Sequence, residues 1–167
     1  MRKMIKKTGF TLIELLIVVV IMGILLALIS SNLLGARQRA QDNQKKSNLN
    51  QLKTALQSYY VQYHKYPAST NGLTIFGCGT GGTSSCGTSF TADNIEFLSK
   101  FAKTGSFYEF RYYQCNSGDD YRIKVNLSNS SDSDIAESKL KCPSATCVGQ
   151  SLTYDTTTNS DYVLCSQ

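Results

Sequence analysis

Tryptophan is absent from this 167-residue chain, proline occurs twice and histidine once. With a single histidine, His64, a Ser/His/Asp or Cys/His catalytic centre would have to be built on that one ring. It lies among tyrosines near a helix end, where a lone histidine reads as a packing residue. Metal ligands are scarce too. The six cysteines form no C-x₂-C pair, their local spacings are Cys78…Cys86 and Cys142…Cys147, and no further histidine supports them. Asp119 and Asp120 fall in a turn cluster, where aspartates serve backbone donors, and no dense ring of oxygen ligands for calcium surrounds them. Nothing in the pattern asks for a cofactor, and the chain does not read as an enzyme.

Charge is missing from one stretch in particular. Between Phe10 and Ile29 the only ionisable residue is Glu14. As a helix at 1.5 Å per residue this run is roughly 30 Å long, the thickness of a bilayer's hydrocarbon core. Arg2, Lys3, Lys6 and Lys7 precede it. A secretory signal peptide would have a shorter apolar region followed by a small-residue cleavage site, and neither fits. A plain membrane anchor would explain the length and the basic flank. It would leave Glu14 unexplained, because an acid inside a spanning segment is costly and marks function.

The segment Gly9-Phe10-Thr11-Leu12-Ile13-Glu14, after a basic leader and before an unbroken apolar run, resembles the class III leader junction of type IV pilins and type II secretion pseudopilins. The close resemblance covers roughly residues 1–67. It implies cleavage after Gly9, N-methylation of the new N-terminal Phe10, and a role for Glu14 in assembly. It also implies the partners: further copies of the chain in a helical filament, minor pilins, a prepilin peptidase, an assembly platform protein with its ATPase, and the membrane. Pilins of the best-known type carry a proline where this chain has Ser31, which leaves open whether the helix melts there on assembly.

The net charge of +5 is mostly a property of the leader. Removing nine residues with four positive charges leaves 158 residues and +1, so the basic balance gives no support to a nucleic-acid partner. The positive-inside rule favours an N-terminus inside, although Arg37 and Arg39 follow the run closely. All six cysteines lie beyond the apolar segment, and an even number in an exported domain reads as disulfides. Six cysteines allow fifteen pairings. Drawing the local pairs Cys78–Cys86 and Cys142–Cys147 leaves Cys115–Cys165.

From Ala36 to about Tyr63, apolar residues recur at helical spacing: Leu49, Leu52, Leu56, Tyr59 or Tyr60, and Tyr63. Arg37, Arg39, Lys45, Lys46 and Lys53 lie mostly off that stripe, as on a solvated face; lipid headgroup contact near Arg37 and salt bridges between subunits are the sharper readings. Tyr66-Pro67 is expected to end the helix, since a residue before proline is pushed out of the α region. Residues 68–91, rich in Gly, Ser and Thr, read as a surface loop stapled by its own disulfide, and 93–102 as a short helix capped by Asp93. Phe107 to Cys115 and Tyr121 to Leu127 have strand composition around the turn Asn116-Ser117-Gly118-Asp119-Asp120, which predicts a hairpin. Residues 128–161 are polar, and Tyr162 to Cys165 reads as a last short strand. Asn126-Leu127-Ser128 and Asn129-Ser130-Ser131 match the N-glycosylation pattern, which is common by chance.

The sequence therefore predicts an α+β, pilin-like chain. Residues 1–9 form a leader and 10–66 a long helix, with 10–29 as membrane anchor and filament core. Residues 67–167 form a β-rich head with an antiparallel sheet and stapled loops. The expected function is that of a structural subunit of a type IV pilus-like filament. It would be held in the cytoplasmic membrane with its head outside, then moved into a surface or periplasmic filament. A type II secretion or DNA-uptake pseudopilin is the alternative within the class. A membrane-tethered binding module that never polymerises is the alternative outside it, and such a tether has no use for Glu14.

Overall fold

The computed structural model describes residues 9–70, 72–104, 107–143, 145–147, 150–152 and 160–166, without the side chains of 28–33, 103–104, 107–108, 145–146 and 150–152. Helix α1 (Leu12–Tyr63) is followed by β1 (Ala68–Thr70), β2 (Thr74–Cys78), β3 (Ser84–Ser85), β4 (Phe90–Ala92) and β5 (Ile95–Leu98). Next come β6 (Lys103–Thr104), β7 (Phe107–Tyr108), β8 (Arg111–Cys115) and β9 (Asp120–Asn126). Helix α2 (Ser133–Lys141), β10 (Ala145–Cys147), β11 (Gln150–Leu152) and β12 (Asp161–Cys165) complete the order. This is an α+β arrangement of one long helix and small antiparallel sheets. The chain divides into two compact units, Met1–Gln38 and Arg39–Gln167.

In the second unit the stripe on α1 is the base of the core. Leu49, Leu52, Leu56 and Tyr59 sit at three- and four-residue steps and are all buried. Tyr112, Tyr121, Ile123 and Val125 from β8 and β9 join them in one cluster. The main sheet has the order β11-β10-β8-β9-β12. Its centre is the predicted hairpin, with Tyr112 opposite Ile123 and Cys115 opposite Asp120. The predicted last strand runs antiparallel to β9, Val163 facing Lys124.

Several expectations are corrected. The helix ends at Tyr63, ahead of Tyr66, because His64 turns the chain with a left-handed φ of 54° while its amide still bonds Tyr60 O at 2.8 Å. Residues 93–102 do not form a helix. Asp93 and Asn94, with φ of 47° and 64°, are the two central residues of a tight turn that pairs Ala92 with Ile95. Residues 68–91 are more than a stapled loop. β1, β2 and β3 make a three-stranded sheet that buries Ile75 completely. In the polar stretch after residue 128, Asp132 caps α2 by accepting from the Asp134 amide at 3.0 Å. That helix buries Ile135 and Ser138.

The disulfides are Cys78–Cys86, Cys115–Cys147 and Cys142–Cys165. The expected pairs Cys115–Cys165 and Cys142–Cys147 are thus wrong. Cys147 faces Cys115 as a cross-strand neighbour of β10 and β8, and Cys142 at the end of α2 lies against the last strand.

Candidate functional site

The first unit presents the residues on which the sequence argument rests. Thr11 precedes the first turn of α1, and its side chain and that of Glu14 close on each other. Glu14 Oε2 accepts from the Thr11 amide at 2.9 Å and from Thr11 Oγ1 at 2.7 Å, and the Glu14 amide donates to Thr11 Oγ1 at 3.4 Å. This reciprocal pattern is a capping box, which satisfies donors that a helix start leaves open. The sequence reading misses this use of Glu14, although Thr11-Leu12-Ile13-Glu14 before an apolar run is its signature.

Beyond the cap the helix is bare. Every large apolar side chain from Phe10 to Leu26 is at least 47% exposed, and Phe10 reaches 87%. An apolar surface of this extent marks a partner or a membrane. Gly9 has no neighbouring atom within 4 Å of where a side chain would begin. Among the described residues no helix is long and apolar enough to cross a membrane. The described side chains of the run stop at Ala27, short of Ile29.

The other candidates are dispersed. His64 is exposed at its turn, and Asp119 is exposed as well. Asp120 is engaged by Arg122 and by the Ser166 hydroxyl, which also donates to it. Among the described residues no group of three or more His, Cys, Asp and Glu side chains is placed to hold a metal. In the two N-glycosylation matches Asn126 is exposed and Asn129 half-buried.

The cations read as a solvated face are in part structural. Lys46 Nζ lies 2.7 Å from both Asp132 Oδ2 and Asp134 Oδ2 at the start of α2, and 5.6 Å from the centre of the Tyr162 ring. Burial opposes the Lys46 charge, but the two carboxylates outweigh it and raise its pKa. Lys45 donates to Asn126 O at 2.8 Å. Asp42 is 1% exposed and accepts from the amides of Ser128 and Asn129, each at 2.8 Å. Burial works against its carboxylate, yet the two amides prevail and hold the pKa below the usual range. No local signal could have exposed this contact, since its partners are more than eighty residues apart in the chain.

Residues 4–30 match the family described as the prokaryotic N-terminal methylation motif, and residues 32–84 the family of type II secretion system protein G. The chain is similar to the type II secretion system core protein G of Vibrio cholerae, 41% identical over 73 residues, which is 44% of this chain and 50% of that protein. The Escherichia coli core protein G is 38% identical over 73 residues, again 44% of this chain and 50% of that protein. The type IV major pilin protein PilA of Myxococcus xanthus is 39% identical over 66 residues, 40% of this chain and 30% of that protein. The chain thus spans about half the length, or less, of these curated relatives. No solved structure matches it.

Proposed function

With a methylation motif and a protein G-like segment as premise, we propose that this chain is a structural subunit of a helical filament of the type IV pilus and type II secretion class. It is made with a leader, cut between Gly9 and Phe10, and methylated at the new amine of Phe10. The single observation that carries this reading is the bare apolar helix from Phe10 onward, headed by one carboxylate. Such a surface is stable in lipid as a monomer, and equally among copies of itself in a filament, so extraction from membrane to polymer exchanges one apolar environment for another.

Glu14 gives that exchange a direction. Within one chain it serves Thr11, one turn from the cleavage point. After cleavage the Phe10 amine of a neighbouring copy becomes available to it, and pairing offsets the cost of holding either charge in an apolar setting. The peptidase, the assembly platform with its ATPase, the minor pilins and the exported position of the head belong to the same proposal. So does the absence of an enzymatic role.

A secretion pseudopilin is the second reading, favoured by the protein G match over residues 32–84. The disulfide-bearing head favours a surface pilus. Electron microscopy of shed surface material, with N-terminal sequencing, decides. Long filaments whose subunits begin at Phe10 are expected. Subunits that retain the leader and form no polymer, on the surface or in the periplasm, would overturn the proposal.

A further inference from the structure

A cleft of about 240 Å³ opens beside the end of α1, lined among others by Tyr59, Tyr66, Pro67, Phe76, Gly82 and Lys65. Its volume is that of roughly eight waters of liquid, the room a single sugar ring takes. We propose that this cleft is a binding site for an acidic monosaccharide unit, a pyranose ring carrying a carboxylate.

Three observations lead there. The first is Tyr59, whose ring is 1% exposed and held by Tyr63, Phe90 and Phe97 at centroid distances of 4.3, 5.2 and 5.4 Å. Its hydroxyl reaches the cleft at Gly82 and makes no hydrogen bond among the described residues. Burial, aided by the charge of Asp93, raises its pKa and keeps it a neutral group able to donate and accept. A fixed, unpartnered hydroxyl at the base of a cleft is a hydrogen-bonding position awaiting a ligand.

The second is Gly82. It has a left-handed φ of 63°, and a Cβ there would lie 2.4 Å from the Tyr59 hydroxyl oxygen. A side chain there would close off the slight opening that the 1% exposure of Tyr59 leaves to its hydroxyl.

The third is the chemistry of the walls. The half-buried Phe76 offers ring surface of the kind on which the C–H face of a sugar packs, while Tyr66 and Pro67, both buried, show the cleft only an edge. No acidic residue lines the cleft, and Lys65 at its edge is exposed and forms no ion pair among the described residues. The site therefore favours a neutral ring with an anionic substituent over a cation.

The test is an amide-resolved NMR titration of the full chain in detergent micelles with methyl glucuronide, methyl glucoside and N-acetylphenylalanine amide. Methyl glucuronide is expected to shift Lys65, Gly82 and Thr83 saturably, and the uncharged glucoside to bind several-fold more weakly. Tyr59→Phe keeps the stacked ring and should weaken glucuronide about three- to tenfold, the worth of one hydrogen bond. Lys65→Ala, at an exposed position, should abolish the preference for the charged sugar. Unchanged spectra elsewhere establish that both variants remain folded. Absence of saturable shifts at the cleft, equal affinity for the two sugars, an unchanged Tyr59→Phe titration, or preferential binding of the phenylalanine amide would each overturn the assignment.

Discussion

Asp42 shows how much one side chain of α1 contributes to holding the polar segment after β9. Its two oxygens each take a backbone amide, and both contacts are short. Asn in its place would direct an amide group at one of those N–H donors, so Asp42→Asn should cost about 1.5–3 kcal/mol, the range for hydrogen bonds to a charged group. Asp132 behaves similarly. Its hydrogen bond from Lys46 is the largest influence and depresses its pKa against burial. Because both carboxylates titrate below their unfolded values, their stabilisation is full above the unfolded pKa of about 3.9 and is lost as pH falls through the lower folded values. Thermal unfolding in micelles should therefore show stability holding down to about pH 4 and dropping below it. In Asp42→Asn the acid-side drop should be shallower, and an identical drop would refute the role given to Asp42. Tyr121 supplies the opposite sign. Its hydroxyl is enclosed and has no hydrogen-bond partner among the described residues. Tyr121→Phe removes that unmet group and should raise the urea midpoint, by about 1 kcal/mol of stability. A fall in the midpoint would imply a bonded water that the side chain needs.

Elements were legible where period and chain neighbours agreed. The stripe Leu49, Leu52, Leu56 and Tyr59 declared α1, and the apolar residues around Asn116–Asp120 declared the β8–β9 hairpin. Legibility failed where one local pattern served two structures. Ile95, Leu98, Phe101 and Ala102 have helical spacing and Asp93 could cap a helix, but Asp and Asn also tolerate the left-handed turn that β4 and β5 use. Helix α2 was missed because it buries little apolar surface of its own. Its place is fixed by Lys46, by the Ser138 hydroxyl accepting from the Val163 amide, and by a disulfide. The cysteine pairs depend on strand adjacency, which spacing does not report. In the chain-entropy account, Cys142–Cys165 closes the longer loop and contributes roughly 3.5 kcal/mol, against roughly 2.5 for Cys78–Cys86. Replacing each of these two pairs by serines and comparing denaturant midpoints should give the larger loss for Cys142/Cys165. Fragmentation mass spectrometry of the non-reduced chain should yield the Cys142–Cys165 link. Recovery of a Cys142–Cys147 link would reverse the correction made above.

On the scale of the whole molecule, the chain joins a head that buries its own core to a helical segment, from Leu12 to Leu26, that leaves its large apolar side chains exposed. The capping box places two demands on Glu14, and they separate experimentally. Glutamine serves a capping box as well as glutamate does, so Glu14→Gln leaves Thr11 its partner while removing the charge. Thr11→Val does the reverse, keeping the carboxylate and removing the hydroxyl, at a cost of about 1 kcal/mol to the helix start. If Glu14 acted only as a cap, Thr11→Val would be the more damaging change and Glu14→Gln would assemble normally. If it pairs with the Phe10 amine of the next copy, Glu14→Gln leaves that amine buried without a counter-charge, a penalty on the order of 3–5 kcal/mol. That is several times the loss of the cap. The expected outcome is that Glu14→Gln is cleaved, accumulates to normal levels and forms few or no filaments, while Thr11→Val forms filaments at a modestly reduced level. Filament counts with immunoblots for cleavage and subunit level read both variants together. Normal filaments from Glu14→Gln at normal subunit level would confine Glu14 to its capping role and remove the charge pairing from the assembly model.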